Sequence, residues 1–117
     1  MTTIIIGKSK DNSYRQLICS GHAGYPGKKC LFKKKDSFDL VCASASVLII
    51  NTINALEELA GEKFETASNE TKGYIRCNFE YPLQERSVFL LDAMVFGLQN
   101  IQKEYGEKYL QVKFEEV

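Results

Sequence analysis

Apolar residues recur along this chain at two periods, and the switch between them predicts the elements. Ile4-Ile5-Ile6 is a short β-branched run closed by Gly7, and Lys8 to Asn12 supplies turn chemistry before a second candidate strand, Tyr14 to Ser20. In that strand Arg15, Leu17 and Cys19 are expected on one face, with Tyr14, Gln16, Ile18 and Ser20 on the other. From Val41 the apolar positions Ala45, Leu48, Ile49, Thr52, Ile53, Leu56 and Leu59 follow at three- and four-residue steps until Gly61, the signature of an amphipathic helix. Lys63 to Ala67 and Gly73 to Tyr81 flank a polar turn, Ser68 to Lys72, and form a second hairpin. Within it Ile75, Cys77 and Phe79 alternate with Tyr74, Arg76, Asn78 and Glu80, so Cys77 is a core residue. Pro82 permits a helix start near Leu83, and Val88, Leu91, Met94, Val95, Leu98, Ile101 and Tyr105 give a second helical stripe closed by Gly106. A last strand turns Leu110, Val112 and Phe114 inward and Gln111, Lys113 and Glu115 outward.

The order β-β-α-β-β-α-β with hairpin-length links predicts an α+β fold, a mostly antiparallel sheet with two long helices packed on one face. At 117 residues the chain is one domain, 1–117, with a modest core. Fifteen basic and fifteen acidic side chains cancel, so no global charge argues for nucleic acid or a membrane surface. The N-terminal apolar run has no basic segment before it and is too short for a signal peptide or a span, which leads us to expect a cytoplasmic protein. Cys19, Cys30, Cys42 and Cys77 include no C-x-x-C pair, and His22 is the only histidine, so we expect no metal and no cofactor. No phosphate-binding G-x-x-x-x-G-K loop is present.

The candidate chemistry gathers between Gly21 and Ser46. Gly21-His22-Ala23-Gly24 follows a strand end, a loop intervenes, and Phe38-Asp39-Leu40-Val41-Cys42-Ala43 opens the first helix. A thiol at a helix N-terminus sits beside partial positive charge and unpaired N–H groups, which favour thiolate over thiol. A strand end and a helix start joined by a loop can bring a histidine and a cysteine within hydrogen-bond reach despite their separation in sequence. Asp39 is read either as a helix cap or as a carboxylate orienting His22. Small residues beside Cys42, including Ala43, leave room for a substrate chain, and Ser46 one turn on is a helix-start residue or a donor to substrate. No G-x-S-x-G elbow surrounds Ser44 or Ser46.

These residues, Gly21-His22-Ala23 and Asp39-Leu40-Val41-Cys42-Ala43 with Ser46 after them, resemble the ribosomal-processing cysteine protease family. The order of elements fits that family along nearly the whole chain. The resemblance implies an endopeptidase that removes an N-terminal extension from a large-subunit ribosomal protein after a Phe-containing sequence. It places a catalytic dyad on His22 and Cys42 and implies a homodimer, while substrate contacts at Gly21, Ala23, Gly24, Ala43 and Ser46 are expected from the glycine loop and the small residues around Cys42. Phe89, Ala93, Phe96 and Gly97 add apolar surface beyond one stripe, which also points to a homodimer. Two features depart from the family pattern: Ser44 stands where Ala is usual, and the loop is longer, carrying Cys30 and the lysines between Lys28 and Lys35.

Blander readings exist for each feature. A lone histidine in a glycine loop is commonly solvent-exposed, Cys19 reads as a core thiol, and the lysine loop reads as a solvated insertion. The rival function is a non-catalytic ribosome- or RNA-associated binding protein whose lysine loop contacts RNA and whose Cys42 is an inert helix-start thiol. Cys30 becomes a second reactive thiol only if its loop folds over the site.

Overall fold

The computed structural model describes residues 1–21, 40–69, 73–80 and 82–117. His22, Ala23, Gly24, Asp39 and the lysine loop with Cys30 lie outside the described residues. The elements are β1 (Thr2–Lys8), β2 (Tyr14–Ser20), α1 (Leu40–Glu58), β3 (Phe64–Asn69), β4 (Tyr74–Phe79), α2 (Glu85–Tyr105) and β5 (Leu110–Glu116), in the expected order.

The five strands form one mixed sheet in the order β3-β4-β2-β1-β5. Three neighbouring pairs are antiparallel, while β5 returns beside β1 in parallel, with Ile4 opposite Val112. Asn12 takes the left-handed conformation, φ 70°, in the turn between β1 and β2, a conformation asparagine tolerates better than most residues. Ile4, Ile6, Leu17, Cys19, Cys77, Phe79 and Leu110 make the buried face of the sheet, and Val41, Ala45, Ile49 and Leu56 of α1 and Leu91, Met94, Val95 and Leu98 of α2 close over it. At the helix crossing, a Cβ added to Gly97 would lie 2.6 Å from Leu48 Cδ2. Gly97 therefore serves the α1–α2 contact rather than an outer surface.

Strict alternation fails at the start of β2. Gly7 pairs with Gln16 but Lys8 pairs with Tyr14, so Arg15 is the extra residue of a β-bulge. The bulge turns Tyr14 into the core and leaves Arg15 exposed, reversing the expected assignment. Once buried, the Tyr14 hydroxyl donates to Asp92 Oδ1 of α2 at 2.6 Å. Burial and that carboxylate together hold the phenol well above its usual range.

Three more positions depart from the periodic pattern. Leu59 is exposed and Ala60 is buried in its place, because α1 ends at Glu58 and the chain turns out through Gly61 at φ 67°. Val88 lies at the surface while Ser87 is buried, its hydroxyl donating to the Glu62 carboxylate at 2.6 Å. Phe114 is exposed together with the rest of the C-terminal half of the edge strand β5, and Lys8 Nζ lies 5.9 Å from its ring. α2 begins at Glu85, two residues after Leu83, with Gln84 as its N-cap residue.

Candidate active site

The start of α1 is set by its own buried residues. Val41 and Ala45, 0% and 1% exposed, anchor the first turns against the sheet, and this leaves Cys42 and Ser46 on the adjoining flank. Both are half-buried and both border a cleft of about 360 Å³ between α1 and the β3–β4 side of the sheet. Gly21, at the end of β2, borders the same cleft. The structure thus brings together three of the residues singled out in the sequence, and Ala43 lies outside the lining.

Gly21 is held tightly. Its φ is 87°, and a Cβ there would lie 2.5 Å from the Met1 carbonyl oxygen. A glycine is therefore required where the chain leaves β2 toward position 22.

The remaining walls were not legible in the sequence. Ile50 and Ile53 continue the Cys42 flank of α1, Thr66 to Asn69 come from β3, and Gly73, Tyr74 and Ile75 come from β4. The one available signal was Ile50, an apolar residue off the helix stripe and 48% exposed. Thr2 also borders the cleft, and its buried hydroxyl has no hydrogen-bond partner among the described residues.

Cys19 reaches the same space from beneath. Burial first, and the neighbouring Cys42 second, push its thiol up to about 11. Burial alone does the same for Cys77. Thiols kept protonated in this way are poor nucleophiles, so Cys19 and Cys77 are structural, as expected. Their ordinary value is 9.0, so the folded state favours their protonated forms. This stabilisation is complete below pH 9 and is lost as pH rises toward about 11, because there the unfolded chain releases protons that the folded chain retains. We expect the denaturation midpoint to fall between pH 8 and pH 11, and to fall less steeply in the Cys19→Ala/Cys77→Ala double variant. Equal slopes in a pH series of urea titrations would refute this.

The sequence matches the cysteine protease Prp family over residues 1–111. The chain belongs to that family. It is 24% identical over 107 residues to the ribosomal processing cysteine protease Prp of Staphylococcus aureus, covering 92% of this chain and 93% of the relative. It is 25% identical over 111 residues to the Prp of Bacillus subtilis, covering 92% of each. The fold superimposes with a TM-score of 0.84 on the crystal structure of the S. aureus ribosomal processing protease Prp in complex with a covalently linked product peptide, at 22% identity over 98% of this chain and 100% of the other. The structure of that protease with a substrate peptide gives a TM-score of 0.81 at 20% identity, again covering 98% and 100%. As a Prp family member this chain is a cysteine protease, and Cys42 is the cysteine that borders the cleft from the start of α1.

Proposed function

We propose that this protease removes the N-terminal extension of a large-subunit ribosomal protein, using Cys42 as nucleophile and His22 as its base. The observation that carries the reading is the meeting of Cys42, Ser46 and Gly21, the residue before His22, at one cleft in a Prp family chain. The family relatives named for ribosomal processing support the substrate class.

In this reading His22 accepts the Cys42 proton and the thiolate attacks the carbonyl carbon of the scissile bond. The first N–H groups of α1 have no carbonyl partner within the helix and stabilise the oxyanion that forms. His22 then protonates the leaving amine, leaving an acyl-thioester on Cys42 that water hydrolyses. The Ser46 hydroxyl, one helical turn from Cys42, donates to the bound chain. Ile50, Ile53 and Ile75 form an apolar wall that suits an aromatic side chain of the substrate. Asp39 either caps α1 or orients His22. Phe89 and Phe96, 72% and 68% exposed on α2, with exposed Ala93 between them, support a homodimer.

The reading is tested by incubating the host's own unprocessed large-subunit ribosomal protein with the wild-type protease and with His22→Ala, then measuring intact masses. Cleavage at a single bond by wild type, slowed by a factor of about 10²–10⁴ in the variant, is expected. An unchanged substrate mass with folded, reduced wild type would refute the substrate assignment, and undiminished cleavage by His22→Ala would refute the dyad.

A further inference from the structure

Two cysteines border the same cleft, and the proposed cleavage uses only one of them. Cys19 stands between Ile4 of β1 and Ile75 of β4 and is buried with Ile4, so it faces the helices from β2. Cys42 follows Val41 in the first turn of α1 and packs against the core cluster to which Cys19 belongs. The charge of Cys42 is felt at Cys19, where it is the second cause, after burial, of the raised pKa. Cys77 is the contrast. It stands opposite Leu17, does not line the cleft, and has its pKa raised by burial alone. Cys19 and Cys42 are both present as thiols, with no bridge between them.

A thiolate that attacks carbonyls also attacks peroxides, and a sulfenic acid left alone goes on to sulfinic and sulfonic acids that thiols do not reverse. A second thiol within reach diverts it into a disulfide. Cys19 is almost wholly protonated: a pKa of about 11 leaves about one thiol in 10³ ionised at pH 8. Proximity outweighs that deficit, since effective concentrations within one molecule reach about 10⁵ M or more, and a thiolate of high pKa is the stronger nucleophile once formed. Oxidation of Cys42 also removes its negative charge, one of the two causes that hold the Cys19 proton.

We propose that Cys19 is the resolving thiol for an oxidised Cys42, closing it into a reversible disulfide that switches the protease off and spares its nucleophile from irreversible oxidation. This rests on Cys42 being the reactive thiol, whichever substrate is cut. The oxidant is a hydroperoxide. The Cys42 thiolate attacks one peroxide oxygen, the O–O bond breaks as the S–O bond forms, and the departing alkoxide or hydroxide takes a proton from water. Cys19 then gives up its proton and attacks the Cys42 sulfur; the S–S bond forms, the S–O bond breaks, and the leaving hydroxide takes that proton to become water. An external dithiol reverses the bridge by two exchanges and is itself oxidised. A disulfide holds its two Cα atoms within about 7 Å, so the bridge pins the first turn of α1 to the end of β2 beside Gly21.

The experiment exposes the reduced protein to a few equivalents of hydrogen peroxide at pH 7.5, blocks the remaining thiols with N-ethylmaleimide, and maps the unreduced tryptic peptides by mass. Trypsin puts each cysteine in its own peptide: Cys19 in 16–28, Cys30 in 30–33, Cys42 in 36–63 and Cys77 in 77–86. Wild type should give 16–28 joined to 36–63, and dithiothreitol should then raise cleavage of a peptide spanning the ribosomal-protein extension junction at least fivefold. Cys19→Ala should give no such pair, should carry Cys42 as sulfinic or sulfonic acid, and should regain less than twofold. The proposal is overturned, and the protease reading stands, if wild type shows Cys42 as sulfinic acid with Cys19 still a thiol, Cys42 joined to Cys30, or Cys42 unoxidised yet alkylated by iodoacetamide. The wild-type map decides this whether or not Cys19→Ala folds and whether or not the junction peptide is cut. If Cys42 resists both peroxide and iodoacetamide, the proposal and the assignment of Cys42 as nucleophile fall together.

Discussion

Cys42→Ser is expected to lower kcat/KM by on the order of 10³ or more while leaving the far-UV spectrum and Tm almost unchanged. The two side chains are nearly isosteric, and residue 42 is only partly buried where it packs against the core, so the replacement changes the packing little. The kinetic loss arises because a serine hydroxyl stays protonated at neutral pH and attacks a carbonyl poorly without a machinery built for it. The neighbouring Cys19 cannot substitute, since burial keeps its thiol protonated. Steady-state cleavage of the junction peptide, with circular dichroism as the fold control, decides the matter. Near-normal turnover by the serine variant would remove Cys42 from the chemistry.

Gly21→Ala should damage stability and activity together. The backbone at φ 87° strains an alanine, and its Cβ would meet the Met1 carbonyl oxygen at 2.5 Å, so strand β1 or the strand end must shift. A cost of about 2 kcal/mol is expected, which for a chain of this size lowers Tm by on the order of 5–10 °C. Any shift moves the residue that leads into His22 and borders the Cys42 cleft, so kcat/KM should fall at least tenfold even where the protein is fully folded. Gly61→Ala is the control. Its φ is 67° but a Cβ there meets nothing within 4 Å, and it lies at the far end of α1. That variant should lose about 1 kcal/mol and keep its kcat/KM. Equal kinetic effects of the two substitutions would show that Gly21 holds no special place at the site.

Periodicity reveals burial only where an element is regular and packed along its length. The α1 stripe through Val41, Ala45, Ile49, Thr52 and Leu56 was legible for that reason, as was Leu91, Met94, Val95 and Leu98 on α2. The bulge at Arg15 shifts the face by one residue, and no local residue announces it, so Tyr14 and its contact with Asp92 stayed hidden. The parallel return of β5 beside β1 is likewise a property of the assembled sheet, and so is the exposure of Phe114 at its end. Of the site, Gly21, Cys42 and Ser46 could be read because they sit in one local motif. Ile50, Thr66, Ser68 and Ile75 could not, because three elements distant in sequence meet only in the folded chain. His22 and Asp39 were singled out in the sequence and fall outside the described residues, so their roles rest on the motif.

The most direct measurement of a Cys42-dependent protease is titration with substoichiometric iodoacetamide, following the alkylated site by peptide mass mapping and residual cleavage in the same samples. Carboxamidomethylation should appear first at Cys42, with Cys19 and Cys77 unmodified, and cleavage should decline in proportion to that one modification. Full alkylation of Cys42 with cleavage intact, or loss of cleavage with Cys42 unmodified, would contradict its assignment as the nucleophile.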